Sequence, residues 1–168
     1  MEIDASHNQA ELDRIEFLIA RNDFIDAFAD LEVAVCRVLR STGQNPKSEP
    51  FGQRVKTFRE AEKTHLIAKA NYGARNQIAD EIFAILPVRA DIVHSRMNTH
   101  RIDGQLAAVL TNVQDAGAEF PTARILTLAQ FKQLVSRITQ FTQRIAALGK
   151  INPASLPQPP SPGAAGDP

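Results

Sequence analysis

DFIDAFADLEVAVCRVLRSTG, residues 23–43, is the stretch that decides the fold class. Phe24, Phe28, Leu31, Val35 and Val38 recur three and four positions apart, which aligns them on one face of an α-helix. Asp23 and Asp26 stand in the first turn and Arg37 and Arg40 in the last, the order a helix macrodipole favours. Gly43 stops this helix, and TGQNPKSEP, residues 42–50, is a loop by its Gly, Pro, Asn and Ser content.

On the N-terminal side, Leu12, Ile15, Leu18 and Ile19 keep helical spacing and predict a separate short helix over about residues 8–22, apolar face inward. On the C-terminal side, Phe51, Val55 and Phe58 predict a helix to about Thr64, with KTFREAEK as its charged face. Ile78, Ile82 and Leu86 predict another from about Arg75 to Leu86, after which Pro87 opens a new helix or bends the old one. That places VRADIVHSRMN, residues 88–98, in the first turns of a helix, with Val88, Ile92 and Val93 turned inward.

Beyond Asn98 the helical period lapses. LAAVLTNV (106–113) and ARILTL (123–128) read as two extended stretches that pair as a hairpin across QDAGAEFPT. Thr127 and Gln130 then fit a capping box, and Phe131, Leu134, Ile138, Phe141, Ile145 and Leu148 form an apolar seam that Gly149 ends. This seam is too short for an autonomous coiled coil and reads as core. INPASLPQPPSPGAAGDP, residues 151–168, has almost nothing to bury and is predicted to be a disordered tail. The expectation is a mainly all-α fold: one helical-bundle domain over 1–150, with one short β-hairpin before the last helix.

Composition sets the bounds. The 168 residues suffice for one domain with a real core, and the 43 % apolar content contains no run able to span a bilayer. The opening MEIDASHNQAELDR is acidic and polar where an export signal is basic and then apolar, so a cytoplasmic location is expected. Cys36, the single cysteine, permits no intrachain disulfide or multi-cysteine metal knuckle and reads as a small core residue. Net charge is zero, which argues against a general nucleic-acid coat. Yet residues 1–32 hold nine acids against Arg14 and Arg21, whereas residues 33–101 hold twelve Lys or Arg against six acids. One reading of this asymmetry is attraction between helices of one bundle; the sharper one is a basic groove for a polyanion.

Arg89 and His94 are the pair able to carry chemistry. An imidazole can take the proton of a ribose 2′-hydroxyl or supply one to the leaving oxygen, while a guanidinium stabilises charge on the phosphate. Five positions apart on a helix, the two side chains differ by about 140° in direction, so one copy makes a poor site. Two copies across a two-fold axis would supply two of each to a shared cleft, which makes a homodimer a requirement of this reading. Asp91, three residues before His94, is expected to orient the imidazole, the alternative being a favourable first-turn acid. Arg96 lies seven residues after Arg89, on nearly the same helical face, and is a candidate phosphate contact, the alternative being a solvated arginine.

The segment RADIVHS (89–95), with apolar Ile92 and Val93 before the histidine, small Ser95 after it and long amphipathic helices earlier in the chain, resembles the HEPN family (higher eukaryotes and prokaryotes nucleotide-binding). Members are helical bundles with an Arg, four to six residues, then a His. Active ones are commonly metal-independent endoribonucleases of toxin–antitoxin, phage-defence and RNA-processing systems, working as dimers. The resemblance implies RNA as substrate, Arg89 and His94 as catalytic residues, no cofactor and no metal, and an antitoxin or inhibitor protein as a further partner. Ala90 departs from the family, which usually has a polar residue there.

Other constellations are poorer. His94 and His100 with Asp91 and Asp103 lack the spacing of a metal site, His7 and His65 have no partner in the sequence, and there is no phosphate-cradling Gly-rich loop, GxSxG or HExxH. One Tyr, Tyr72, and no Trp leave little for base stacking. The rival expectation is a non-catalytic helical module that binds a protein partner or a nucleotide, with Arg89 and His94 as an interface or capping pair and the seam over 131–148 as partner surface.

Overall fold

The computed structural model describes residues 5–46, 49–62, 64–112 and 123–149, with side chains from Asn8 onward. The predicted tail over 151–168 and the link QDAGAEFPT lie outside the described residues. Four helices, α1 (Ala5–Ser41), α2 (Phe51–Glu60), α3 (Tyr72–His94) and α4 (Leu128–Ala147), are joined by three strands, β1 (Ser95–Ile102), β2 (Gln105–Asn112) and β3 (Ala123–Thr127), with a 3-10 turn at Lys69–Asn71 ahead of α3. The fold is mainly helical, as expected, but its β part is a three-stranded antiparallel sheet in the order β1-β2-β3 and not a single hairpin.

α1 is one helix of 37 residues, where two were expected. Phe17, Ala20, Phe24, Phe28, Leu31, Val35 and Val38 form a continuous buried stripe through the anticipated break, and their burial outweighs the few tenths of a kcal/mol that Asn22 and Asp23 each cost in a helix interior. Leu12, Ile15, Leu18 and Ile19, expected to face the core, are on the outside. α1 ends as its sequence indicates. Gly43 has φ of 82°, its N–H donates to the Arg40 carbonyl and the Gln44 N–H reaches back to Leu39, a Schellman closure.

α4 packs along α1. Phe131, Ile138, Phe141 and Ile145 are buried, and the Phe131 ring meets Phe17 edge-on at 6.1 Å. Thr127 accepts from the Gln130 N–H while the Gln130 side chain accepts from the Thr127 N–H, the predicted capping box. The seam over 131–148 is therefore core and not a partner surface.

α2 stops at Glu60, short of the expected Thr64, and sets Phe51, Val55 and Phe58 against α1 and α3. Arg75 ties the two helices: buried, it donates to the Ala61 carbonyl and its guanidinium lies 4.6 Å from the Tyr72 ring centre. α3 runs through Pro87 without ending. The lost N–H bond costs about 3 kcal/mol, a cost offset by fully burying Ile82, Ile85 and Ile92 on both sides of it.

From Ser95 the chain turns extended, so residues 95–98 are strand where helix was expected. Asp103 and Gly104, with φ of 51° and 77°, make the two-residue turn between β1 and β2, and Ile102 pairs with Gln105. β2 and β3 pair antiparallel, Ala108 opposite Leu126 and Leu110 opposite Arg124, which realises the expected hairpin. No helix among the described residues is long and apolar enough to cross a membrane.

Candidate functional site

The RADIVHS segment closes α3 instead of opening a helix, so Arg89 stands in its last two turns and His94 is its final residue. An α-helix leaves its last carbonyls without intrahelical donors. Arg21 of α1 supplies the missing donor: its Nη2 donates to the Val93 carbonyl at 3.3 Å and the Ser95 carbonyl at 3.2 Å. A cation at a helix C-terminus also meets the favourable end of the macrodipole. Arg21→Ala is expected to cost about 1–2 kcal/mol, the scale of charge-assisted hydrogen bonds of this length, measured by urea unfolding. Ser95 follows in a buried position, and its Oγ has no partner among the described residues.

An open cleft of about 410 Å³ lies among α1, α2 and the end of α3. Ile25, Ala29 and Val33 of α1 form one wall, and Arg89 and Val93 of α3 the other. Phe28 and Cys36 form part of the lining, and Cys36 is buried, as the sequence suggested. Glu32 is the single carboxylate in this lining, against the guanidinium groups of Arg40, Arg54 and Arg89. Arg89 Nη2 is 3.1 Å from Glu32 Oε1, and Arg54 Nη1 is 3.5 Å from Glu32 Oε2. Arg54 is aimed by its Nε donating to the Glu49 carbonyl at 2.7 Å, and Arg89 by lying 5.1 Å from the Phe28 ring centre. Each guanidinium has five N–H donors, so Arg89, bonded to Glu32, and Arg54, bonded through Nε and Nη1 to the Glu49 carbonyl, Glu32 and Cys36 Sγ, both keep donors for an oxyanion. Three cations around one anion leave the cleft a net attractor of negative charge.

One reading of the charge asymmetry, attraction between elements of the bundle, finds a place here. Acids of α1 do pair with later arginines, Glu32 with Arg54 and Arg89, and Asp13 with Arg101 at 3.7 Å. The excess of arginine in the cleft is what those pairs leave over.

His94 is exposed and follows directly on Val93, and its side chain makes no hydrogen bond or ion pair to another described residue. It does not line the cleft with Arg89. Asp91 does not orient it, contrary to expectation: Asp91 Oδ2 accepts from Arg124 Nε of β3 at 2.7 Å. Arg124 stands opposite Leu110 on the sheet face that packs on α3, which brings its guanidinium to the nearer carboxylate. Arg96 is on β1 and not on a helix, so the shared face with Arg89 does not exist. It is exposed on the outer side of the sheet, in the row that holds Asn98 and His100. Asp91, His94, His100 and Asp103 form no metal-binding group, and among the described residues no three His, Cys, Asp or Glu side chains are placed to hold a metal ion.

Arg21, Glu32, Arg40, Arg54 and Arg124 were not singled out as site residues by the sequence. Only Arg21 carried a signal, as one of two bases among nine acids in residues 1–32. Compared with known proteins, the chain matches no family model, no curated protein and no solved structure.

Proposed function

We propose that this chain is an HEPN-like endoribonuclease that cuts RNA without a metal, as a homodimer whose two α3 ends share one substrate. The observation that carries this reading is the excess positive charge of the cleft, lined by Arg40, Arg54 and Arg89 against the carboxylate of Glu32, with the exposed His94 one residue beyond Val93 of its wall. The RNA phosphate sits against the guanidinium groups, which stabilise its growing negative charge in the transition state. The ribose 2′-oxygen bonds to phosphorus as the bond to the 5′-oxygen breaks. His94 accepts the 2′-hydroxyl proton, and His94 of the partner subunit donates one to the departing 5′-oxygen, leaving a cyclic phosphate and a 5′-hydroxyl. The divergence of Arg89 and His94 within one copy is what calls for the second. A toxin or phage-defence role, with an antitoxin-like inhibitor, accords with the resemblance of RADIVHS to that family.

The Arg89–Glu32 ion pair favours a second reading, a non-catalytic module that binds a nucleotide in the same cleft. Incubating the purified protein with single-stranded RNA and a chelator separates the two. Cleavage that persists in chelator and weakens steeply with added salt, as contacts to phosphate do, is the expected result. RNA bound but left intact supports the second reading and overturns the first.

A further inference from the structure

The exposed His94 stands at a junction without a linker, the last residue of α3 before Ser95 opens β1. Helix ends ordinarily fray and are among the first parts of a fold to open. Here the neighbours of His94 are tied. Asp91 is paired with Arg124, Ile92 is fully buried, Ser95 is buried, and from Arg96 onward β1 runs in register with β2. Between these ties a single guanidinium nitrogen of α1, Arg21 Nη2, donates to the Val93 carbonyl at 3.3 Å and to the Ser95 carbonyl at 3.2 Å, from 72 and 74 positions away.

The chain turns both carbonyls outward. Val93 lies in the last turn of α3, so its carbonyl has no intrahelical donor. Ile102 and Gln105 flank the two-residue turn of the hairpin and exchange backbone hydrogen bonds, so along β1 every second residue back to Arg96 bonds to β2. Ser95 is out of that phase, and its carbonyl points away from β2. A helix cap would need the Val93 bond alone; the second bond reaches past His94. One bond fixes the peptide plane that precedes His94 and the other the plane that follows Ser95. The direction in which the His94 side chain leaves the backbone is thereby set, and only its two side-chain torsions remain.

We infer that Arg21 is a positioning residue: it holds the backbone on both sides of His94 so that the imidazole is presented at one place beyond the end of the arginine cleft. The effect on RNA cleavage rests on the proposed function; the fixing of His94 does not. Arg21 is half-buried and does not line the cleft, so it acts through His94 and not on the RNA phosphate. Arg40, Arg54 and Arg89 hold that phosphate whether or not Arg21 is present.

Steady-state cleavage of single-stranded RNA in chelator tests the effect. Arg21→Ala is expected to lower kcat by about 10- to 100-fold, the loss that misplacing a reacting group brings, with KM unchanged. Arg21→Lys keeps a charged donor and is expected to restore part of kcat. Arg144→Ala is the control for general loosening, because it breaks the 3.0 Å ion pair of α4 with Glu81, well before His94 on α3, and should leave kcat as it is. Amide hydrogen exchange on the same proteins tests the fixing itself: Arg21→Ala should speed exchange across residues 93–96 more than at Ile82 and Ile85 in the body of α3. An unchanged kcat in Arg21→Ala, a raised KM in place of a lowered kcat, an equal loss in Arg144→Ala, or exchange across 93–96 no faster than in wild type overturns the inference. Wild-type protein that leaves RNA intact removes the nuclease reading, and amide exchange then decides alone whether Arg21 fixes His94.

Discussion

Replacing His94 with alanine is expected to slow RNA cleavage by about 10²- to 10⁴-fold, the usual contribution of a positioned acid or base. The thermal midpoint should not move, because the His94 side chain is exposed and has no hydrogen bond or ion pair to a described residue. Arg89 offers the complementary case. Under the proposed function Arg89→Ala would remove a transition-state contact, and it also leaves Glu32 with Arg54 alone, so it is expected to lower both activity and stability. Arg89→Lys keeps the charge but not the planar fork, and is expected to restore stability more than rate. A His94→Ala protein that cuts RNA as fast as wild type would remove the histidine from the chemistry.

The largest stability effect is expected from the contact that joins α1 to α4. Phe131 is fully buried and meets Phe17 at 6.1 Å, so Phe131→Ala should cost about 3–5 kcal/mol in urea unfolding. A double-mutant cycle with Phe17→Ala should return a coupling of about 0.5–1.5 kcal/mol, the extra contribution of an edge-on aromatic pair. Leu18, one residue from Phe17 but on the outward side, gives the control. At concentrations where the chain is monomeric, Leu18→Ala should change stability by less than about 0.5 kcal/mol. Equal losses at Phe17 and Leu18 would contradict the two-faced character of α1.

That two-faced character explains what the sequence disclosed and what it concealed. α4 was legible to the residue at its start because the capping box and the apolar seam agree. In α1 two apolar stripes overlap along one helix, Ile15–Leu18–Ile25 outside and Phe17–Phe24–Leu31 inside, and a reader following the stronger local spacing moves from one to the other at Asn22. The apparent break was a change of face. Pro87 misled for a different reason, since its local cost is fixed whereas the burial of Ile85 and Ile92 that offsets it appears only in the packed chain. With α3 continuous, the same residues that were placed at a helix start fall at a helix end.

The third strand was legible in principle. Asp103-Gly104 is a strong two-residue hairpin signal, and Ser95, Met97 and Thr99 alternate with Arg96, Asn98 and His100 as a strand requires. The cleft was not. Glu32, Arg54 and Arg89 lie 22 and 57 positions apart along the chain, and Arg124 reaches Asp91 from 33 positions away. No local pattern encodes such pairings, which depend on how α1, α3 and the sheet pack.

Mixing wild-type and His94→Ala proteins tests the central claim most directly, namely that two copies complete one RNA-cutting site. Equal amounts are unfolded together and refolded so that mixed dimers form. Those dimers keep one His94 and lack either the acid or the base, so chelator-resistant RNA cleavage at about a quarter of the rate of the same amount of wild type is the predicted result, and cleavage at about half of it, as two independent sites would give, would contradict the account.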